Sequence, residues 1–180
     1  MIVCEGMKNM KENRANLGQT VPVMVYRMML YAMMETLTHI HGIERAQLHL
    51  RKAGWTAGQR FAAELLNVEL EFSDFLSSFQ KTMRDMSIGI LRFEHFDERI
   101  GRITWTVSEA IGCAGLRSNR EQLACHFDEG FYAGILEAYM CTKYEVQMVD
   151  CWVSENRVCR FCGMPKASND IIDCEIGEAL

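Results

Sequence analysis

Only two prolines occur in 180 residues, and with 24% charged and 49% hydrophobic residues the composition excludes a disordered or Pro-rich chain. No stretch of about 18 apolar residues is present, which argues against a helical membrane span. The longest apolar run, Val21 to Met34, is interrupted by Pro22, Arg27 and tyrosine hydroxyls. The start, Met1-Ile2-Val3-Cys4-Glu5, lacks the basic segment, apolar core and small-residue cleavage site of a secretory signal. Clustered Lys and Arg are missing too. The net charge is −5, and the densest basic patch, Arg45 to Arg60, interleaves its cations with apolar residues as a solvated helix face does. Nucleic acid is therefore not expected as a direct partner, and any role in transcription would have to pass through a regulatory protein partner. There is no Gly-rich phosphate loop, no GxSxG and no GxGxxG, and His39 and His41 have no nucleophile beside them. The acidic pairs Glu94-His95, Asp97-Glu98 and Asp128-Glu129 are neighbours in sequence that cannot face one substrate together, and are read as surface charge. The chain is expected not to be an enzyme.

What is abundant is sulfur. Eight cysteines without a secretory signal point to a cytoplasmic protein whose thiols are reduced or bind metal rather than form disulfides. Thirteen methionines are present, and Met24, Met28, Met29, Met33 and Met34 crowd one segment, where flexible thioethers either fill a core or line an adaptable cavity.

A chain of this length suits one domain. Residues 1–15 read as a polar, mobile leader, residues 16–164 as the domain and residues 165–180 as an acidic tail. Within the domain, 16–85 is helical and 86–164 holds a sheet and one more helix. Helical spacing of Val25, Met28, Met29, Ala32, Met33 and Thr36 predicts a first helix from Thr20, as N-cap, to about His39, with a break at His41-Gly42. Further helices are expected at 43–53, 56–66, with a small-residue face at Ala57-Gly58 and Ala62-Ala63, and 71–83. The period then changes to two. Residues 86–94 and 99–108 read as strands, the second with Ile103, Trp105 and Val107 on one side. A helix follows at 125–140 and a hairpin at 144–152 and 157–163. That order predicts an α+β fold in which helices cover an antiparallel sheet.

The last third carries the chemistry. Cys125-His126-Phe127-Asp128-Glu129-Gly130-Phe131-Tyr132-Ala133-Gly134 is followed by Asp150-Cys151-Trp152 and by Arg157-Val158-Cys159-Arg160-Phe161. A helix start and two strands would bring Cys125, Cys151 and Cys159 together. Zinc needs such convergence, because its tetrahedral thiolate sites draw ligands from different elements. The spacing by itself is equally that of buried core cysteines, since neither CxxC…CxxC nor HxxxH occurs.

This segment resembles the 4-vinyl reductase (4VR) domain, a family of small-molecule-binding modules also described as hydrocarbon-binding proteins. The resemblance is strong over about residues 100–162 and weak over 15–66. It implies a fold shared with subunits of the vesicle-tethering complex TRAPP, a homodimer built on the region from Val21 to Leu66, and a pocket for a small apolar or aromatic molecule between helices and sheet. Trp105, Phe127, Phe131, Tyr132 and Trp152 are the candidates to line it, and His126 or Tyr132 to hydrogen-bond the ligand, with His126 equally readable as a structural histidine. The resemblance also implies a structural zinc on Cys125, Cys151 and Cys159. Phenol-sensing members add a glutamate three residues before the middle cysteine, where this chain has Met148, which ligates no zinc. Cys113, Cys162 and Asp150 are the replacements to consider, and Cys113 is preferred because Cys162 should face the other side of the sheet from Cys159. The resemblance leaves three further roles open: a cysteine-based redox sensor, a component of a tetrapyrrole-related reductase, and a pure assembly subunit.

Overall fold

The computed structural model describes residues 20–113, 123–151 and 158–166. Its elements are α1 (Val23–His41), α2 (Ile43–Leu65), α3 (Phe72–Asp85), β1 (Ile90–Asp97), β2 (Arg102–Ser108), α4 (Leu123–Met140), β3 (Tyr144–Asp150) and β4 (Cys159–Pro165). All four strands pair antiparallel in the order β1-β2-β4-β3, so β1 and β3 are the edges. The inner face of the sheet is buried at Leu91, Ile103, Trp105, Val107, Tyr144, Val146, Cys159 and Phe161. The outer face carries polar residues, and Arg160 forks onto Glu94 there at 2.9 and 3.0 Å. This is the expected α+β architecture.

The helices differ from the expectation in two places. The helix begins at Val23 with Pro22 at the cap and no side-chain capping bond, so Thr20 plays no part. Gly42 does end α1, with a φ of 77° that favours glycine. The two helices expected at 43–53 and 56–66 are one, α2, running unbroken through Gly54.

Gly54 is there for packing rather than for a break. On α2, Gly54 and Gly58 lie one turn apart, as do Gly130 and Gly134 on α4. A Cβ on Gly54 would collide with the carbonyl oxygen of Phe127, one on Gly58 with that of Phe131, and one on Gly130 with that of Arg51. The two helices thus meet backbone to backbone, which side chains on both surfaces would prevent. Gly58 and Ala62 of the expected small face continue the Gly54 stripe and are buried, whereas Ala57 and Ala63 lie beside it.

One large core joins the inner sheet face to α3, α4 and the end of α2. Helix α1 is attached by a separate small cluster of Leu30, Met34 and Leu50, with Phe127 between the two. Arg27 Nε and Tyr31 Oη also hold α1 to the turn after β2, donating to the carbonyls of Ile111 at 2.8 Å and Gly112 at 3.1 Å. The rest of α1 is apolar and exposed, with Met24, Met28, Met29 and Met33 between 53 and 70% accessible.

Candidate functional site

The turn after β2, the first turn of α4 and the start of β4 bring three buried thiols together: Cys113, Cys125 and Cys159. Cys113 Sγ lies 3.7 Å from Cys125 Sγ and donates to Asp128 Oδ2 at 3.4 Å. Cys159 also bonds to Cys113, and Cys125 feels the charges of Cys151 and Cys159. Cys151, just past β3, is half-buried, and Cys162 turns to the opposite face, as alternation along β4 requires. The expected ligand group of Cys125, Cys151, Cys159 and Cys113 is therefore assembled in one neighbourhood. Among the described residues, however, no three of its side chains form a ready-made metal site. Cys141 is disulfide-bonded, which corrects the expectation that the cysteines are reduced or bind metal; the five other described cysteines form no disulfide.

Electrostatics disfavours the ionised forms of the groups in this cluster. The bond with Cys125, then burial and the nearby Asp128 carboxylate, push the Cys113 thiol far up. For Cys125 the bond with Cys113 pulls the thiol down, but burial and the charges of Asp128, Cys151 and Cys159 outweigh it and leave the thiol raised. Burial lifts the Asp128 carboxyl to about 7, against the lowering bond from Cys113 and with the help of Glu129. The residue as a whole is half-buried, but this carboxyl is turned towards the thiols. Asp128 is therefore part of the site and not surface charge.

Beside the thiols lies an aromatic group. Trp105 stacks on Phe161 with ring centres 5.7 Å apart, and Tyr132 meets Trp105 edge-on at 5.3 Å. Phe131 touches Tyr132 at 5.5 Å and Phe61 at 5.2 Å. Trp105, Phe131 and Tyr132 are thus together as expected, but in ring-to-ring contact. The two cavities with volumes of ≈ 380 and ≈ 360 Å³ are lined by other residues. The indole N–H of Trp105 is buried and has no hydrogen-bond partner among the described residues. Burial also holds the Tyr132 phenol well above its ordinary range. Phe127 sits between this group and the α1 cluster. His126 points elsewhere, its Nδ1 2.8 Å from Glu129 Oε2, and Trp152 lies outside the described residues.

Sequence reasoning missed two carboxylates that organise the β3 edge. Glu129 and Glu137, 6 and 8% exposed, lie on the side of α4 that faces the edge strand. Glu129 Oε1 accepts from the Met148 N–H at 2.9 Å, and Glu137 Oε1 from the Tyr144 N–H at 3.0 Å. The second oxygen of each is taken from α2: Arg51 bonds to Glu129, and Trp55 Nε1 donates to Glu137 at 2.6 Å. Eight residues of helix rise about 12 Å and four residues of strand about 13 Å, so the two carboxylates reach alternate edge positions of β3 without strain. Arg51, His126 and the backbone of Met148 overcome burial and hold the Glu129 carboxyl below its usual range.

No protein-family profile matches the chain. A functionally uncharacterised protein of Methanocaldococcus jannaschii is 28% identical over 147 residues, covering 81% of this chain and 78% of that protein. Among solved structures, the phenol-responsive sensory domain of the transcription activator PoxR, solved with phenol, superposes with a TM-score of 0.62 at 16% identity, over 82% of this chain and 78% of that domain. A trafficking protein particle complex subunit 3 from Naegleria fowleri, covalently bound to palmitic acid, gives 0.60 at 16% identity, over 80% of this chain and 92% of that one. A vinyl-4-reductase family protein of M. jannaschii gives 0.54 at 14% identity, over 83 and 85%. At such identities the likeness is one of architecture: this chain has the 4VR-like α+β fold, shared with the trafficking-complex subunit.

Proposed function

We propose that the chain is a binding domain for a small aromatic molecule carrying a hydroxyl, acting as a sensor or carrier. The observation behind this reading is the indole N–H of Trp105, buried among Phe93, Tyr132 and Phe161 with no acceptor among the described residues. An unsatisfied buried donor costs about 1–3 kcal/mol, and a ligand oxygen placed against it would remove that cost. The rings around it supply the apolar surface that a phenol-like body needs. The likeness of fold to a phenol-responsive domain supports the same class of ligand. Entry requires Phe131 or Tyr132 to turn aside, since both now contact their neighbours. Calorimetric titration with phenol tests this. Saturable binding weakened about tenfold in Trp105→Phe, which keeps an aromatic ring and removes the donor, supports the reading. Absent binding, or equal binding by both proteins, refutes it.

A zinc ion at the thiols belongs to the same proposal. A tetrahedral ion with Zn–S bonds of about 2.3 Å places its sulfurs about 3.8 Å apart. Cys113 and Cys125 stand at 3.7 Å. Cys159 would be the third ligand and Cys151 the fourth, with the Asp128 carboxyl as the other donor within reach. The buried cluster disfavours its own anions, and a divalent cation supplies the charge that reverses this. The ion would act structurally, tying α4 to the β3–β4 hairpin. The redox-sensing alternative lacks such support, because Cys113 and Cys125 are buried and their thiols are raised, whereas a sensor cysteine is an exposed thiolate.

The exposed methionine face of α1 supports a symmetric homodimer built on residues 21–66, an expectation retained here as part of the proposal.

A further inference from the structure

A groove of ≈ 380 Å³ lies between α2, α4 and the free edge of β3, on the opposite side of α4 from the Trp105 rings. Its volume is at the lower end of the range for small-molecule sites. Trp55, Ala133 and Val146 contribute apolar surface, and Arg51, Lys52, Lys143 and Lys166 supply positive charge. Of its three carboxylates, Glu129 and Glu137 are each committed to two internal N–H donors, leaving Glu145 as the exposed one. Four cations against three carboxylates leave one net positive charge in the lining. The ammonium of Lys52 sits 3.8 Å above the Trp55 ring, where it covers one end of the apolar surface.

The edge of β3 adds a second observation. Lys166 N–H donates to the Lys143 carbonyl at 2.8 Å, which sets the phase of the β3–β4 ladder. Residues 143, 145 and 147 turn their peptide groups to β4, and 144, 146 and 148 turn theirs outward. Glu137 satisfies Tyr144 and Glu129 satisfies Met148. Val146, midway between them and 2% exposed, donates its N–H to none of the described residues. Arg51 Nε in the same lining is also buried without a partner. A buried side-chain donor without a partner is rare in folded proteins, and the Arg51 Nε–H and the outward-facing Val146 N–H border one groove.

We propose that this groove binds a small carboxylate with an apolar body, an aryl- or alkyl-carboxylic acid. The carboxylate would accept from the Val146 N–H and the Arg51 guanidinium, with Lys52 and Lys166 screening its charge, while the body lies along Trp55 and Ala133. The site is separate from the one proposed at Trp105, so either can fail alone.

The test is a ¹H–¹⁵N titration of the full chain with 3-phenylpropanoate, a free aromatic acid, and octanoate, a fatty acid, each beside its methyl ester. Saturable shifts of the Val146 amide and the Arg51 Nε–H are expected for the carboxylates, with the esters about tenfold weaker because the charge-assisted bonds are lost. The exposed Lys52→Glu and Lys166→Glu changes, made together, should weaken the carboxylates about fivefold or more and leave the circular dichroism unchanged. Tighter binding of either acid supports the site and names its source. A Val146 amide that does not move, esters that bind as well as acids, or shifts confined to the Trp105 indole would overturn the proposal.

Discussion

Replacing Glu137 tests whether α4 closes the β3 edge through its buried carboxylates. The side chain is 8% exposed and accepts two bonds, from Trp55 Nε1 at 2.6 Å and from Tyr144 N at 3.0 Å. In Glu137→Leu both donors lose their acceptor while the volume is nearly kept. At about 1–3 kcal/mol for each orphaned donor, the expected loss is about 2–6 kcal/mol, less whatever water can restore. Glu137→Gln keeps one carbonyl oxygen and turns an amide N–H₂ towards the other donor, so its loss should be about half as large. The indole share can be separated. Trp55→Phe removes that donor, and Glu137→Leu made in the Trp55→Phe background should then cost about 1–2 kcal/mol less than in the wild type. Urea unfolding followed by circular dichroism under one fixed redox condition measures all five proteins. Losses below about 0.5 kcal/mol for Glu137→Leu, or purely additive changes in the cycle, would show that the edge N–H groups are satisfied by solvent and that the carboxylate is not a cap.

Purified protein should carry close to one equivalent of zinc by elemental analysis, with Cys125→Ser and Cys159→Ser losing both the metal and thermal stability. Cys162→Ser, on the outer sheet face, should lose neither, and a wild type without metal would leave the cluster as buried thiols. Phe131→Ala should cost about 3–5 kcal/mol in denaturant unfolding, since the ring is 9% exposed and packs on Phe61 and Tyr132. A much smaller loss would place that ring at the wall of an open space. Light scattering at micromolar concentration should give a dimer mass, and Met28→Lys with Met29→Lys should give a monomer of unchanged helicity; a monomeric wild type contradicts the α1 interface.

The architecture could be read from the sequence because the sheet has one buried face. Ile103, Trp105 and Val107 alternate with polar residues, and the register leaves no choice about which side they take. The thiol group could be read for a related reason: Cys125 opens a helix and Cys159 a strand, so their meeting depends only on the helix lying over the sheet. Cys113 was a preference based on facing, and it proved to be the thiol in contact with Cys125. Glu129 and Glu137 were not legible. A carboxylate is ordinarily a surface group, and only the position of the β3 edge, a product of the whole topology, gives these two their N–H partners. The division of 43–66 into two helices failed similarly. Gly54 lowers helix propensity, and nothing local reveals that the backbone of α4 occupies the space its side chain leaves. Phe131 and Tyr132 were correctly placed near Trp105, but whether aromatic rings enclose a space or fill it depends on contacts finer than any periodicity.

The central claim is tested most directly at the indole of Trp105. The chain has three tryptophans, so the side-chain region of a ¹H–¹⁵N spectrum holds three indole signals, assignable by Trp→Phe replacement. Titration with phenol should move the Trp105 Nε1–H signal downfield in a saturable manner as the donor gains an oxygen acceptor, while the Trp55 signal, already bonded to Glu137, stays in place. A Trp105 signal that is unchanged at saturating phenol, or that moves no more than the Trp55 signal, would contradict the account.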